Sequence, residues 1–382
     1  MPKGTLSSGV SLAQSSELLG ASLDALDTPA LVVDLDLMER NIQRIVQHCR
    51  RAGVHWRPHC KTHKSGAIAQ RLIAAGAIGI TCAKLAEAAV MVDAGIKDIL
   101  IANQIAGPLK IARLMALCKR ADIAVGVDHP DNIAALAAAA KLAGVTLRVL
   151  IEIDTGTRRA GVQPEEPVVA LAQVIQNYPA LRLAGIYTWE GHTTQIADPD
   201  EKRKAITTAL QSLTRSAAEC RAAGIPIEIV SCGGTGTYDT AANVPGITEI
   251  QAGGGIFGDV RYRTVYHVDV DYALSVLSTV TSRPTPRRIV CDAGKKAMST
   301  DAGPPLPLHL PAMASVGFSA EHGKLELQED ALTPRIGERI RFVPGYADTT
   351  VHLHNTIYGV RFDGDHARIE TVWPIQYDAR LK

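Results

Sequence analysis

Nine residues, WRPHCKTHK (Trp56–Lys64), gather Arg57, Lys61, His63 and Lys64 at one turn. Four other strings could meet that turn. EIDTGTRRAG carries Arg159, and YTWEGH carries Tyr187 and His192. SCGGTGTY carries Gly234, Thr235 and Gly236, and EIQAGGG carries Gly253 and Gly254. Glycine turns can offer backbone N–H groups to an anion, as phosphate cradles do. A lysine facing a bound phosphate ester, with an arginine across from it, points to pyridoxal phosphate held as a Schiff base. Each string alone is commonplace. A glycine-rich turn most often only permits a tight backbone, and most lysines are solvated surface residues. Their joint position carries the reading.

That position depends on the elements between them. Strand-like runs recur at Trp56–Lys61, Gly79–Lys84, Asp98–Asn103, Asp122–Asp128, Thr146–Asp154, Leu181–Trp189, Ile227–Gly233 and Ile247–Gly253. Between them lie helical patterns such as LAEAAVMVDAG and HPDNIAALAAAAKLAG, apolar at i, i+3 and i+4 and ended by glycine. Eight βα units in succession predict an α/β fold, a parallel (β/α)8 barrel of the TIM type. The chemistry of such a barrel collects at the C-terminal ends of its strands, where the five strings fall. No GxGxxG follows the first strand, so an open dinucleotide-binding sheet is disfavoured. Beyond about Val265 short alternating runs and Pro/Gly turns predict a mostly β domain. The expected division is an N-terminal arm over 1–27, mobile in the plain reading, then the barrel over 37–264. The strand 28–36 joins 265–382 in the β domain.

Composition narrows the class. The chain has 382 residues, 46% hydrophobic and 21% charged, with a formal net charge of +1. That balance gives no footprint for nucleic acid or an anionic membrane, and no apolar run is long enough to span a bilayer. The first residues lack the pattern of a signal peptide. Seven cysteines without a CxxC spacing fit reduced, cytoplasmic thiols.

In the order TPALVVDLD, RPHCKTHK, EIDTGTRRAG, GIYTWEGH, SCGGTGTY, EIQAGGG and CDAGKKAMSTD, the chain resembles the D-threonine aldolase/D-serine dehydratase family, with its alanine-racemase-like fold. The family includes 3-hydroxy-D-aspartate aldolases. The likeness runs from about Thr28 to the C-terminus. It implies pyridoxal phosphate on Lys61, with Lys64 structural at the start of a helix. It implies Arg159 at the cofactor's phenolic oxygen and Tyr187 near its ring. Gly234, Thr235, Gly236, Gly253 and Gly254 would hold the phosphate. His192 is the acid/base candidate, Lys61 and Tyr187 complete the implied catalytic set, and His59 and His63 shape the floor. A homodimer is implied as well.

One departure matters. The family carries a His-x-Cys or His-x-Asp metal pair after a proline, whereas this chain reads VPGYADTTVHLHN. Asp348 keeps an oxygen ligand, suited to Mg²⁺ or Mn²⁺, and Tyr346 stands where the histidine is expected. Either a metal binds through Asp348 and waters, or it is lost and Tyr346 meets the substrate. His352 and His354, read as alternating on a strand, would share a face. The substrate implied is a D-β-hydroxy-α-amino acid, of the D-threonine or 3-hydroxyaspartate type. Aldol cleavage to glycine and an aldehyde is favoured over dehydration to ammonia and a keto acid, since Asp348 and His192 suit deprotonating a hydroxyl. Racemisation and simple cofactor binding without turnover stay open. Arg261 and Arg263 could read a second carboxylate.

Overall fold

A computed structural model describes residues 17–364 and 366–376. The chain divides into two compact units. One comprises 17–41, Gly255–Thr264 and 269–376; the other comprises Ile42–Gly254 and Val265–Val268. Among the described residues no helix is long and apolar enough to cross a membrane.

The first strand, β1 (Ala30–Asp34), belongs to the first unit. The second unit holds eight strands: β2 (His55–Trp56), β3 (Ile80–Cys82), β4 (Asp98–Gln104), β5 (Asp122–Val127), β6 (Leu147–Glu152), β7 (Leu181–Tyr187), β8 (Ile229–Cys232) and β9 (Glu249–Ile250). Their ladder runs β2-β9-β8-β7-β6-β5-β4-β3, parallel throughout. All eight predicted runs are there. The two ends meet through the continuation of β2. Arg57 N–H donates to Ile250 O and His59 N–H to Gln251 O on the β9 side, and Cys60 N–H donates to Thr81 O on the β3 side. Pro58, which has no N–H, falls on the β3 side and only accepts, from Thr81 N–H at 2.9 Å. The lysine motif is thus the stave that closes the barrel.

The helices between strands start and stop where the sequence signals say. Pro130 opens Pro130–Ala143, His129 accepts the N–H of Asp131, and Gly144 closes it at φ 66°. Asp198 caps Pro199–Ala222 through the N–H groups of Asp200 and Glu201. Inside the barrel Leu100, Ala124, Leu150 and Ala184 pack as one layer beneath Tyr187.

The other unit is a nine-stranded sheet. It adds β10 (Leu274–Thr285), β11 (Arg288–Cys291), β12 (Leu306–Leu308), β13 (Met313–Phe318), β14 (Gly323–Leu327), β15 (Arg339–Val343), β16 (Thr356–Asp363) and β17 (His366–Pro374). Its spine is β13-β14-β11-β10-β1-β16-β17, with β15 paired to β10 and β12 to β15. β1 lies antiparallel to β10 and parallel to β16.

Two expectations need correction. Of the arm expected over 1–27, residues 1–16 lie outside the described residues. The rest is packed: Gly20 N–H donates to Ile369 O at 2.8 Å, Ile369 N–H to Ala21 O, and Leu26 is buried with Val32 and Val360. His352 and His354 do not alternate on a strand. Ala347–Val351 is a short helix, His352 is its C-cap, and His354 lies in the turn before β16, its Nε2 at 2.8 Å from Ala297 O. An alternating His-Leu-His reads as strand by period alone, but the helix before it sets the backbone.

Candidate active site

The basic turn sorts itself by burial. Arg57 is buried beneath the lysine, pairing with Glu249 at 2.8 Å and with Asp98. Its guanidinium lies where a Cβ on Gly79 would come within 2.3 Å. His59 Nδ1 accepts the N–H of Lys61 at 3.2 Å, and His63 Nδ1 accepts that of Ser65 at 3.1 Å. The two imidazoles therefore shape the loop through its backbone. Lys64, at φ 47°, turns its ammonium into the barrel wall against fully buried Glu87. Glu87 also accepts the N–H of Ala83 at 2.6 Å and of Lys84 at 3.2 Å, at the start of the helix Leu85–Asp93. Lys61 is half-buried at the C-terminal end of the strand.

A second cluster lies further round. Glu152, the last residue of β6, is 3% exposed. Its Oε2 accepts the Tyr187 hydroxyl at 2.7 Å and Gln104 Nε2 at 2.6 Å; its Oε1 takes Arg159 Nη2 at 3.3 Å. A slip in the β4–β5 ladder between Ile101 and Gln104 sets Gln104 opposite Gly126. The Tyr187 hydroxyl lies 2.2 Å from where a Cβ on Gly126 would be, so only glycine leaves it room. Burial first, then the charge of Glu152, push the Tyr187 phenol well above its usual value, so Tyr187 keeps its proton.

The glycine turns close the mouth. A Cβ at Gly253 would stand 2.1 Å from His59 O, which presses the turn after β9 onto the lysine loop. Trp56 Nε1 donates to Ala252 O at 2.8 Å and ties the same two segments. After β8, Gly233 takes φ 77°, and Gly234 O accepts N–H groups of Thr237 and Tyr238. Gly234 lies flat against the Trp189 ring, and Gly236 against Thr194 and Tyr266. Thr235 is buried in this turn. Buried Glu190 props it from within, accepting the Thr237 hydroxyl and, at 3.4 Å, Gly233 N–H. Burial raises the Glu190 carboxyl above its usual range, against the pull of the Thr237 bond.

The described geometry thus sets Lys61, Gly253, Gly234–Gly236, Tyr187 and Arg159 at the ends of the neighbouring strands β2, β9, β8, β7 and β6. These residues fit pyridoxal phosphate. They supply an amine for its aldehyde, a guanidinium for its phenolic oxygen, and two glycine turns at neighbouring strand ends that can offer backbone N–H groups to a phosphate. His192 is exposed on the turn Gly191–Thr193, its ring filling the space beside Gly156. It borders a groove with Thr155 and with Glu201, Lys204 and Thr208 of the helix Pro199–Ala222. Sequence reading passed over Glu152, Gln104, Glu190 and Glu87.

Asp348 and Tyr346 belong to the other unit. The Tyr346 hydroxyl donates to Asp348 Oδ2 at 3.0 Å, and Arg261 lies 6.0 Å from the Tyr346 ring centre. Buried Asp259 accepts the N–H groups of Ala347 and Tyr262. Burial, aided by the charge of Asp348, lifts its carboxyl to about 7. Among the described residues, the group of His, Cys, Asp and Glu side chains close enough to share an ion is elsewhere, at Cys60, Cys82 and Glu87. There Cys60 and Cys82 lie 3.5 Å apart. Burial pushes both thiols up, and Lys64 already neutralises Glu87, so the cluster is a packed, neutral one.

A family profile described as the alanine racemase N-terminal domain matches residues 33–261, and a serine dehydratase domain profile matches 273–360. The chain is 36% identical to a D-threonine aldolase of Arthrobacter sp over 93% of this chain and 94% of that protein. Its fold superposes on a D-threonine aldolase from Filomicrobium marinum with a TM-score of 0.89, at 37% identity, over 95% of this chain and 98% of that one. A D-threo-3-hydroxyaspartate dehydratase from Delftia sp. HT23 superposes with a TM-score of 0.83 at 32% identity, over 93% and 99%.

Proposed function

The chain belongs to the alanine-racemase-like family of D-threonine aldolases and D-serine dehydratases, and on that premise we propose that it is a pyridoxal-phosphate-dependent lyase. It cleaves D-β-hydroxy-α-amino acids of the threonine or 3-hydroxyaspartate type to glycine and an aldehyde. The observation that carries this reading is the pairing of a half-buried Lys61 with the glycine turn that contacts its loop, while Lys64 is held by Glu87.

When bound, pyridoxal phosphate supplies an aldehyde for an amine and an electron sink for charge developing at the substrate Cα. The protein supplies the rest. Lys61 would hold the cofactor, the turns Gly234–Gly236 and Gly253–Gly254 its phosphate, and Arg159 its phenolic oxygen. Tyr187 cannot serve as a base at neutral pH, because burial and Glu152 keep its proton on. Its role is to hold the ring. His192 is the group in this reading that takes the β-hydroxyl proton as the Cα–Cβ bond breaks. Its exposure on a short turn gives it room to do so.

The donor set at Asp348 does not fit a metal held in the family's manner. A phenol that already donates to the carboxylate replaces a neutral imidazole ligand. The same reading places the enzyme in the cytoplasm, which its seven free thiols suit, and makes it a homodimer, which the mass in solution tests.

The deciding experiment incubates the cofactor-loaded protein with D-threonine and both D-3-hydroxyaspartate diastereomers. Glycine plus aldehyde is expected. Ammonia and a keto acid without glycine would instead make it a dehydratase, the reading favoured by the likeness to the Delftia enzyme. Interconversion of D- and L-isomers alone would make it a racemase.

A further inference from the structure

We propose that Glu152 is a positioning residue that divides its two oxygens between Arg159 and the Tyr187 hydroxyl and so fixes what each can offer a ligand. This rests on the reading that the barrel mouth holds pyridoxal phosphate. A phenol has one proton to donate and two lone pairs. The Tyr187 proton goes to Glu152 Oε2 at 2.7 Å, and Gln104 Nε2 shares that oxygen at 2.6 Å. Tyr187 therefore meets a ligand as an acceptor, and the ligand atom against it must bring its own hydrogen.

Arg159 is the reverse case. Its side chain is 59% exposed, and an exposed arginine has many rotamers to lose on binding. One Nη2 contact at 3.3 Å to a buried carboxylate restrains it while its remaining N–H groups stay open to a ligand. Glu152, 3% exposed, is itself held rigid by three donors from three different segments. The raised pKa of Tyr187 agrees, since it keeps the phenol protonated as this bond requires.

The glycine at 126 supplies a second handle. It lies on β5 opposite Gln104, and the Tyr187 hydroxyl fills the space of its missing side chain. Gly126→Ala would push the hydroxyl off Glu152 without touching the carboxylate.

The test uses the full-length, cofactor-loaded protein. Borohydride reduction and peptide mapping first ask whether Lys61 carries the cofactor. The visible band of the bound cofactor is then titrated from pH 5 to 10, and kcat and KM are measured with D-threonine. Glu152→Gln should leave Lys61 labelled at wild-type stoichiometry and lower kcat by about 30-fold or more, with KM within about 3-fold. The titration midpoint should fall by about one unit, because removing a negative charge disfavours a protonated group nearby. Glu152→Asp keeps the charge and should restore the midpoint while kcat stays low. Tyr187→Phe and Gly126→Ala should lower kcat alike, and the loss in Glu152→Gln/Tyr187→Phe should fall well short of the product of the single losses. A wild-type midpoint and wild-type kcat/KM in Glu152→Gln, with only a lowered Tm, would overturn the proposal. So would single losses that simply multiply. If Glu152→Gln does not fold, Glu152→Asp and Gly126→Ala decide by kcat and KM alone: a lowered kcat with KM within about 3-fold is expected, and wild-type kcat/KM in both would overturn the proposal. Unlabelled Lys61 in the wild type is a different result: it removes the cofactor reading itself, and this proposal with it.

Discussion

At the scale of single residues, the two lysines of KTHK divide by what surrounds them. Lys64 is paired to a carboxylate with no solvent exposure, so removing it leaves Glu87 charged and buried. Breaking one side of such a pair costs roughly 3–5 kcal/mol. Lys64→Met should therefore lower stability by about 3 kcal/mol in urea unfolding, yet keep the cofactor on Lys61 after borohydride reduction. Lys61→Ala should abolish that labelling. Labelling that vanished in Lys64→Met and survived in Lys61→Ala would exchange the two roles. Lys61, Arg159 and the glycine turns could be picked out in the sequence because their chemistry is unusual at strand ends. Glu152, Glu190 and Glu87 could not. A lone carboxylate has no local signature, and each of these three has a deciding partner 23 to 48 residues away.

At the scale of elements, the lysine loop depends on the turn after β9. The Gly253 position has no free space for a methyl group, because the obstacle at 2.1 Å is a backbone carbonyl. Gly253→Ala should therefore shift the His59–Lys61 segment and weaken pyridoxal phosphate binding by about tenfold or more, with far-UV circular dichroism unchanged. An unchanged affinity would show that the loop gives way without moving the amine. The segment Pro344–Val351 carries a second prediction. Tyr346 donates to Asp348, so the wild type should lose no activity to chelators. Tyr346→His restores a His-x-Asp pair, and it should take up about one equivalent of Mn²⁺ or Zn²⁺ by elemental analysis. Stoichiometric metal in the wild type would refute this account. The sequence hinted at the lost histidine but misplaced its neighbours, since period alone cannot separate a His-Leu-His strand from a helix C-cap followed by a turn.

At the scale of the whole chain, eight successive βα units made the barrel legible, because each helix must cross back to set the next strand parallel. The floor of that barrel was not legible. Asp98 and Asp122 begin β4 and β5, Glu249 begins β9, and Arg148 lies near the start of β6. Arg57 reaches Asp98 and Glu249, while Arg148 reaches Asp98 and Asp122. Of these, the Arg57 pairs to Glu249 and Asp98 bridge the closing segment to β9 and β4, so they form only when the barrel is closed. Burial acts to raise the Asp98 carboxyl, but the hydrogen bonds and charges of Arg57 and Arg148 outweigh it and hold the pKa below its usual value. A carboxyl depressed in the folded state stabilises the fold above its unfolded pKa, about 3.9, and that contribution disappears as pH falls through the folded value. Thermal unfolding from pH 6 down to 3 should show Tm falling steeply below about pH 4 in the wild type. Asp98→Asn should start lower at pH 6, since Arg57 and Arg148 lose a partner, and should fall less steeply below pH 4. Parallel curves for the two proteins would place the acid-sensitive group elsewhere and would mean that the floor closes the barrel by packing, with its charges adding no pH-dependent stability.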